Sequence, residues 1–125
     1  MTLNFTQNPQ IPAVKDIQPE EVQKNMTNLQ LIDVREPDEY VGPLGHIDGA
    51  KLISLGAFTE GTPDLDKTKP VILICRSGGR SAKASSWAKE CGFENTYNLF
   101  GGMILWNEKG MPVNCLLYTS PSPRD

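Results

Sequence analysis

The most constraining feature of this sequence is a run of four apolar residues, Val71-Ile72-Leu73-Ile74, that follows a proline and breaks directly into Cys75-Arg76-Ser77-Gly78-Gly79-Arg80. Such a run has no polar face to offer to water, which is the pattern of a strand covered on both sides. The next stretch, from Arg80 to Cys91, carries Ala84, Trp87, Ala88 and Cys91 at helical spacing and meets Gly92, a residue suited to ending a helix. The unit therefore predicts strand, loop and helix in that order. A strand buried on both faces demands neighbouring strands and helices on either side.

Weaker signals repeat the alternation. Gln18 to Asn25, with Pro19 in the first turn and Glu20 and Glu21 beside the positive end of the helix dipole, reads as a short helix. Leu29 to Val34 is an apolar, β-branched run that reads as a buried strand, and Pro37-Asp38-Glu39-Tyr40 begins another helical turn. A short strand is expected at Ala50 to Ile53, another at Asn95 to Leu99, and a last helix from Met103 to Lys109. The stretch up to Val14, with Pro9 and Pro12, reads as an irregular lead-in. Strands alternating with helices imply a parallel α/β sheet flanked by helices, organised as a lead-in (1–15), one domain (16–113) and a tail (114–125). No internal repeat is visible.

Composition narrows the function. A chain of 125 residues with a net charge of −3 and scattered Lys and Arg has no basic tract for nucleic acid. Nor does any apolar run approach the roughly 18 residues that span a bilayer, and residues 1–9 lack the features of an export signal, so a cytoplasmic, membrane-free protein is expected. Three cysteines, Cys75, Cys91 and Cys115, and a single histidine, His46, lack metal-ligand spacing, which points to a reducing compartment and no metal. The last eleven residues, Cys115 to Asp125, read as the in-frame translation of a sequencing adapter, so Cys115 is expected to carry no function.

Cys75 is the candidate nucleophile. It stands at the carboxyl end of the most apolar strand, where open α/β sheets bind ligands. Gly78 and Gly79 let successive backbone N–H groups turn inward as an anion-holding nest, and the start of the following helix, Arg76 and Arg80 add positive charge. Each of these favours a thiolate over a thiol. The same cradle suits an anionic sulfur donor and then the outer sulfur of a persulfide, a cycle that calls for no metal or organic cofactor. Cys91, on the apolar face of the helix, is expected in the core.

In these residues the chain resembles the rhodanese homology domain over about residues 16–113. Leu31 to Tyr40 looks like the family's first signature, Gly45-His46-Ile47-Asp48-Gly49-Ala50 its second, Cys75 to Ser81 its active loop, and Gly101 to Trp106 with Gly110-Met111-Pro112-Val113 its closing signature. The resemblance implies a small doubly wound fold with a five-stranded parallel sheet. It implies a thiosulfate-type sulfurtransferase with Cys75 as the persulfide carrier, and Arg76, Ser77, Gly78, Gly79, Arg80 and Ser81 as the loop that binds the donor anion and the transferred sulfur. Asp33 and Arg35 would brace the pocket as an ion pair, and His46, beside a chain turn, would be structural. Implied partners are a small anionic donor, a thiol or cyanide acceptor, and a sulfur-carrier protein. The stretch from Tyr40 to Gly45 is slightly longer than in the shortest members, which leaves the pocket rim open. Two rivals stay in view. Phosphatases and arsenate reductases of related design also place a cysteine in an anion-binding loop, but dual-specificity phosphatases hold five residues between Cys and Arg where this chain has four between Cys75 and Arg80. Some members of the resembled family are protein-binding modules without catalysis, although those that lost the cysteine differ from this chain.

Overall fold

The structure is a computed structural model that describes residues 3–60, 65–66 and 68–114. Its strands are β1 (Thr6–Gln7), β2 (Lys15–Ile17), β3 (Gln30–Asp33), β4 (Lys51–Leu52), β5 (Val71–Ile74) and β6 (Thr96–Leu99). Its helices are α1 (Pro19–Lys24), α2 (Pro37–Tyr40), α3 (Leu55–Glu60), α4 (Gly79–Glu90) and α5 (Gly102–Glu108), with a 3-10 turn at Met26–Asn28. The sheet order is β1-β2-β6-β5-β3-β4. The five strands β2 to β6 run parallel, and β1 adds an antiparallel sixth at the edge of β2.

Alternation along the central strands divides the core in two. Leu31, Ile72 and Ile74 face α1 and α5 and pack with Val22, Met103 and Trp106. Ile32, Leu73 and Cys75 face the other way and pack with Phe58 of α3 and Ala84 and Ala88 of α4. Every residue of β5 is buried, as its apolar run requires. Burying a side chain of the size of Leu73 or Ile74 stabilises the fold by about 1.5–3 kcal/mol before cavity effects.

The elements expected at β3, α2, β5, α4, β6 and α5 form within a residue or two of their expected ends. The lead-in is not irregular throughout: β1 pairs with β2, and Leu3 and Val14 are buried. Neither β1, β2 nor α3 has enough residues to display a period, and α3 is built from the mixed sequence Leu-Gly-Ala-Phe-Thr-Glu. The adapter-like stretch Cys115–Asp125 lies outside the described residues. Among the described residues no helix is long and apolar enough to cross a membrane.

Candidate active site

Strand β5 delivers Cys75 to the carboxyl edge of the sheet, and α4 begins four residues later. The thiol is 1% exposed. Its Sγ accepts the backbone N–H of Gly78 at 2.9 Å and lies 3.2 Å from the Ser81 hydroxyl on the first turn of α4. Gly78 precedes α4 with φ of +106°, a conformation that side chains rarely adopt, so the inward N–H depends on glycine here. Gly79 has no such torsion and faces open space. Of the two loop glycines, the turn needs only Gly78.

The loop is also held from behind. The N–H groups of Met103 and Ile104 at the start of α5 donate to the carbonyls of Cys75 and Arg76 at 2.9 and 3.0 Å. Gly102, at φ of +58°, lies so close that a Cβ there would meet those carbonyl oxygens at 2.5 and 2.6 Å. Gly102 therefore lets the start of α5 come close enough to hold the loop that carries the cysteine.

The two arginines differ. Arg80 places both terminal nitrogens on the Glu39 carboxylate, at 2.6 and 2.7 Å, so its charge is balanced within the protein rather than free for the thiol. The Arg80 hydrogen bond, opposed by partial burial, brings Glu39 down from its ordinary value of 4.5 to about 2. The same contact holds Arg80 above its ordinary range. Arg76 is exposed and belongs to no ion pair among the described residues. With Arg35, Glu39, Pro43 and Leu44 it lines a cleft of about 270 Å³. Lys83, one turn into α4, is exposed.

Asp33 and Arg35 do form an ion pair. Arg35 Nε and Nη2 donate to the two Asp33 oxygens at 2.9 and 2.7 Å, with the residues 1% and 0% exposed. Arg35 also donates to the carbonyls of Glu39 and Gly45 at 3.1 and 2.7 Å, tying β3 to α2 and to the chain entering His46. His46 stacks on Tyr40 at 3.7 Å, and its Nδ1 lies 2.8 Å from the Tyr40 carbonyl. Its backbone pairs with Asn114. Cys91 is half-buried against the α3 and α4 core. Among the described residues no cluster of three or more His, Cys, Asp or Glu side chains is placed to hold a metal ion.

Two residues absent from the sequence-based site complete it. Asn98 of β6 receives the Ser81 hydroxyl at its Oδ1 and donates from Nδ2 to Asp16 Oδ1 at 2.9 Å. Asp16, on β2, also accepts Asn8 Nδ2 at 3.1 Å. A polar chain thus runs from Cys75 through Ser81, Asn98 and Asp16 to the lead-in. Asp16 and Asn98 border a second cleft of about 320 Å³ behind Ser77, Gly78 and Gly79. The available signal was a polar residue inside each of two short strands.

Known proteins resemble the chain in sequence and in fold. The family model for the rhodanese-like domain covers residues 18–109. The chain is 36% identical to the chloroplastic rhodanese-like/PpiC domain-containing protein 12 of Arabidopsis thaliana over 79% of its own length, but spans only 36% of that protein. It is 32% identical to the thiosulfate sulfurtransferase GlpE of Pseudomonas paraeruginosa over 72% of this chain and 81% of GlpE. The crystal structure of a rhodanese-related protein from Thermoplasma volcanium superposes with a TM-score of 0.74 at 30% identity, covering 81% of this chain and 98% of that one. With a family match across most of its length and a relative named as a thiosulfate sulfurtransferase, this chain belongs to the rhodanese-like domain family.

Proposed function

We propose that this protein is a sulfurtransferase that carries a sulfane sulfur as a persulfide on Cys75. The observation that carries the proposal is the seating of Cys75 Sγ on the Gly78 N–H in the turn from β5 into α4, a place where a sulfur anion gains a fixed donor and the start of a helix. The Cys75 thiolate attacks the outer sulfur of thiosulfate or a related donor. A new S–S bond forms and sulfite leaves with the electron pair of the old one. A thiol or cyanide acceptor then attacks the outer persulfide sulfur, and Cys75 departs as thiolate.

Arg76 supports this reading as a cation that belongs to no ion pair among the described residues, at the rim of a cleft that an anionic donor can enter. The loop from Arg76 to Ser81 binds the donor and the transferred sulfur, while Asp33 and Arg35 fix the wall beside it. The four-residue spacing from Cys75 to Arg80 favours a sulfur atom over a phosphoryl group. A small anionic sulfur donor and a thiol acceptor in the cytoplasm are the partners this chemistry calls for, with a sulfur-carrier protein as a further acceptor.

Incubation with thiosulfate is expected to add about 32 Da to the intact protein, and cyanide to remove it, as a covalent cysteine intermediate requires. Cys75→Ser should take up nothing while keeping its fold. Persistent sulfur transfer in Cys75→Ser would sink the assignment.

A further inference from the structure

Ser81 owns one hydroxyl proton but has two neighbours that could take it, Cys75 Sγ and Asn98 Oδ1. Asp16 decides between them. Its carboxylate accepts hydrogen bonds and cannot donate them, so the Asn98 amide must turn Nδ2 towards Asp16 and Oδ1 towards Ser81. A carbonyl oxygen cannot donate either, so the Ser81 proton goes to Asn98. What Ser81 then presents to Cys75 is a lone pair, which suits a thiol proton and does not suit a thiolate.

We infer that Asn98, oriented by Asp16, is a positioning residue that turns the Ser81 hydroxyl proton away from Cys75 and so withholds from a bare thiolate a donor within its reach, at no cost to the persulfide. The inference rests on the persulfide reading above. To solvate a thiolate, Ser81 must rotate its proton towards Cys75 and abandon Asn98, whose 2% exposure leaves Oδ1 with little access to water as a substitute. In the persulfide the inner sulfur carries neither proton nor charge, and the Ser81–Asn98 bond can stay. The network thus opposes, in the empty enzyme alone, part of what the Gly78 N–H supplies to the thiolate.

Other groups also act on this thiol. Asp16 stands on β2, Asp33 on β3 with Arg35 just beyond its end, Glu39 on α2, Arg76 on the loop, and Arg80 and Lys83 on α4. None of these charged side chains is removed when Asn98 is replaced by an uncharged residue, and an effect that passes through Asp16, which loses the Asn98 donor, persists without Ser81, which allows the hydrogen-bond effect to be isolated.

The test is the rate of Cys75 alkylation by iodoacetamide across pH, read by mass spectrometry on the full chain. Asn98→Leu, which removes the competing acceptor at similar volume, is expected to speed alkylation at pH 7 by about five- to tenfold, the scale of one redirected hydrogen bond. The pH profile should move to the acid side with its plateau unchanged. In a Ser81→Ala background the same substitution should change the rate by less than about twofold, as a double-mutant cycle requires when the effect passes through Ser81. Should Asn98→Leu fail to fold, Asp16→Asn is nearly isosteric and lets the Asn98 amide reverse. It also removes a charge, and that part of its effect will persist without Ser81, so the difference between the two backgrounds is the readout. Equal acceleration with and without Ser81, or none with it, would overturn the inference. Because alkylation needs no sulfur donor, a wild-type protein that takes up no sulfur would refute the persulfide reading while this comparison still stands.

Discussion

Two buried carboxylates flank the cysteine, and they are satisfied in opposite ways. Asp33 is met by a full positive charge, the Arg35 guanidinium, which also gathers two backbone carbonyls. Among the described residues Asp16 is met by neutral amides, from Asn98 and Asn8, at 3% exposure. The first arrangement is rigid, because removing either ion leaves an uncompensated charge or several unpaired groups. The second is adjustable, because an amide can turn. The rigid pair lies beside the wall of the Arg76 cleft, and the adjustable one leads to the thiol.

The largest expected effect comes from breaking the rigid pair. Arg35→Ala should cost about 3–5 kcal/mol in denaturant unfolding, the usual consequence of stranding one member of a buried pair. A loss below about 1 kcal/mol would mean that Asp33 finds protons or water easily and that the contrast is false. On the other side, Asp16→Ala should cost about 1–3 kcal/mol, since it leaves the Asn98 and Asn8 amides without their acceptor. Equal losses for the two variants would erase the distinction between charge and amide compensation.

The smallest effect concerns the partly exposed pair of Glu39 and Arg80. Glu39 is depressed from 4.5 to about 2, so its contribution is present above the unfolded value and is lost as pH falls from about 4.5 through 2. Its partial exposure limits this to about 1 kcal/mol or less. Glu39→Gln should therefore flatten the stability profile below pH 4.5 in acid unfolding and add little above pH 6 beyond the loss of the pair itself. An unchanged acid limb would assign that limb to other carboxylates.

The parts of the fold that were legible in sequence are those with a pattern long enough to repeat or a loop with unusual chemistry. β5 announces itself by four apolar residues, α4 by its spacing, and Cys75 by the glycines and arginines around it. β2 has three residues and one of them is Asp16, so neither apolar run nor alternation could reveal it. Asn98 hides for a related reason: in Thr-Tyr-Asn-Leu an amide reads as a solvent-facing position, whereas the strand lies between two neighbours and is buried throughout. The pairing of Arg80 with Glu39 joins positions 41 residues apart in the chain, and only the fold brings them together. Local spacing showed two arginines near a thiol; it could not show that one was already neutralised.

The contact between α5 and the cysteine loop bears on how such a protein is made. The carbonyls of Cys75 and Arg76 have their donors in Met103 and Ile104. During synthesis the cysteine leaves the ribosome before those residues, which follow it in the chain, have emerged. Until α5 docks, nothing in the finished structure holds those two carbonyls in place, and the thiol travels on an unfinished loop. The turn that carries the thiol is therefore completed only when α5, the last helix of the domain, docks against it.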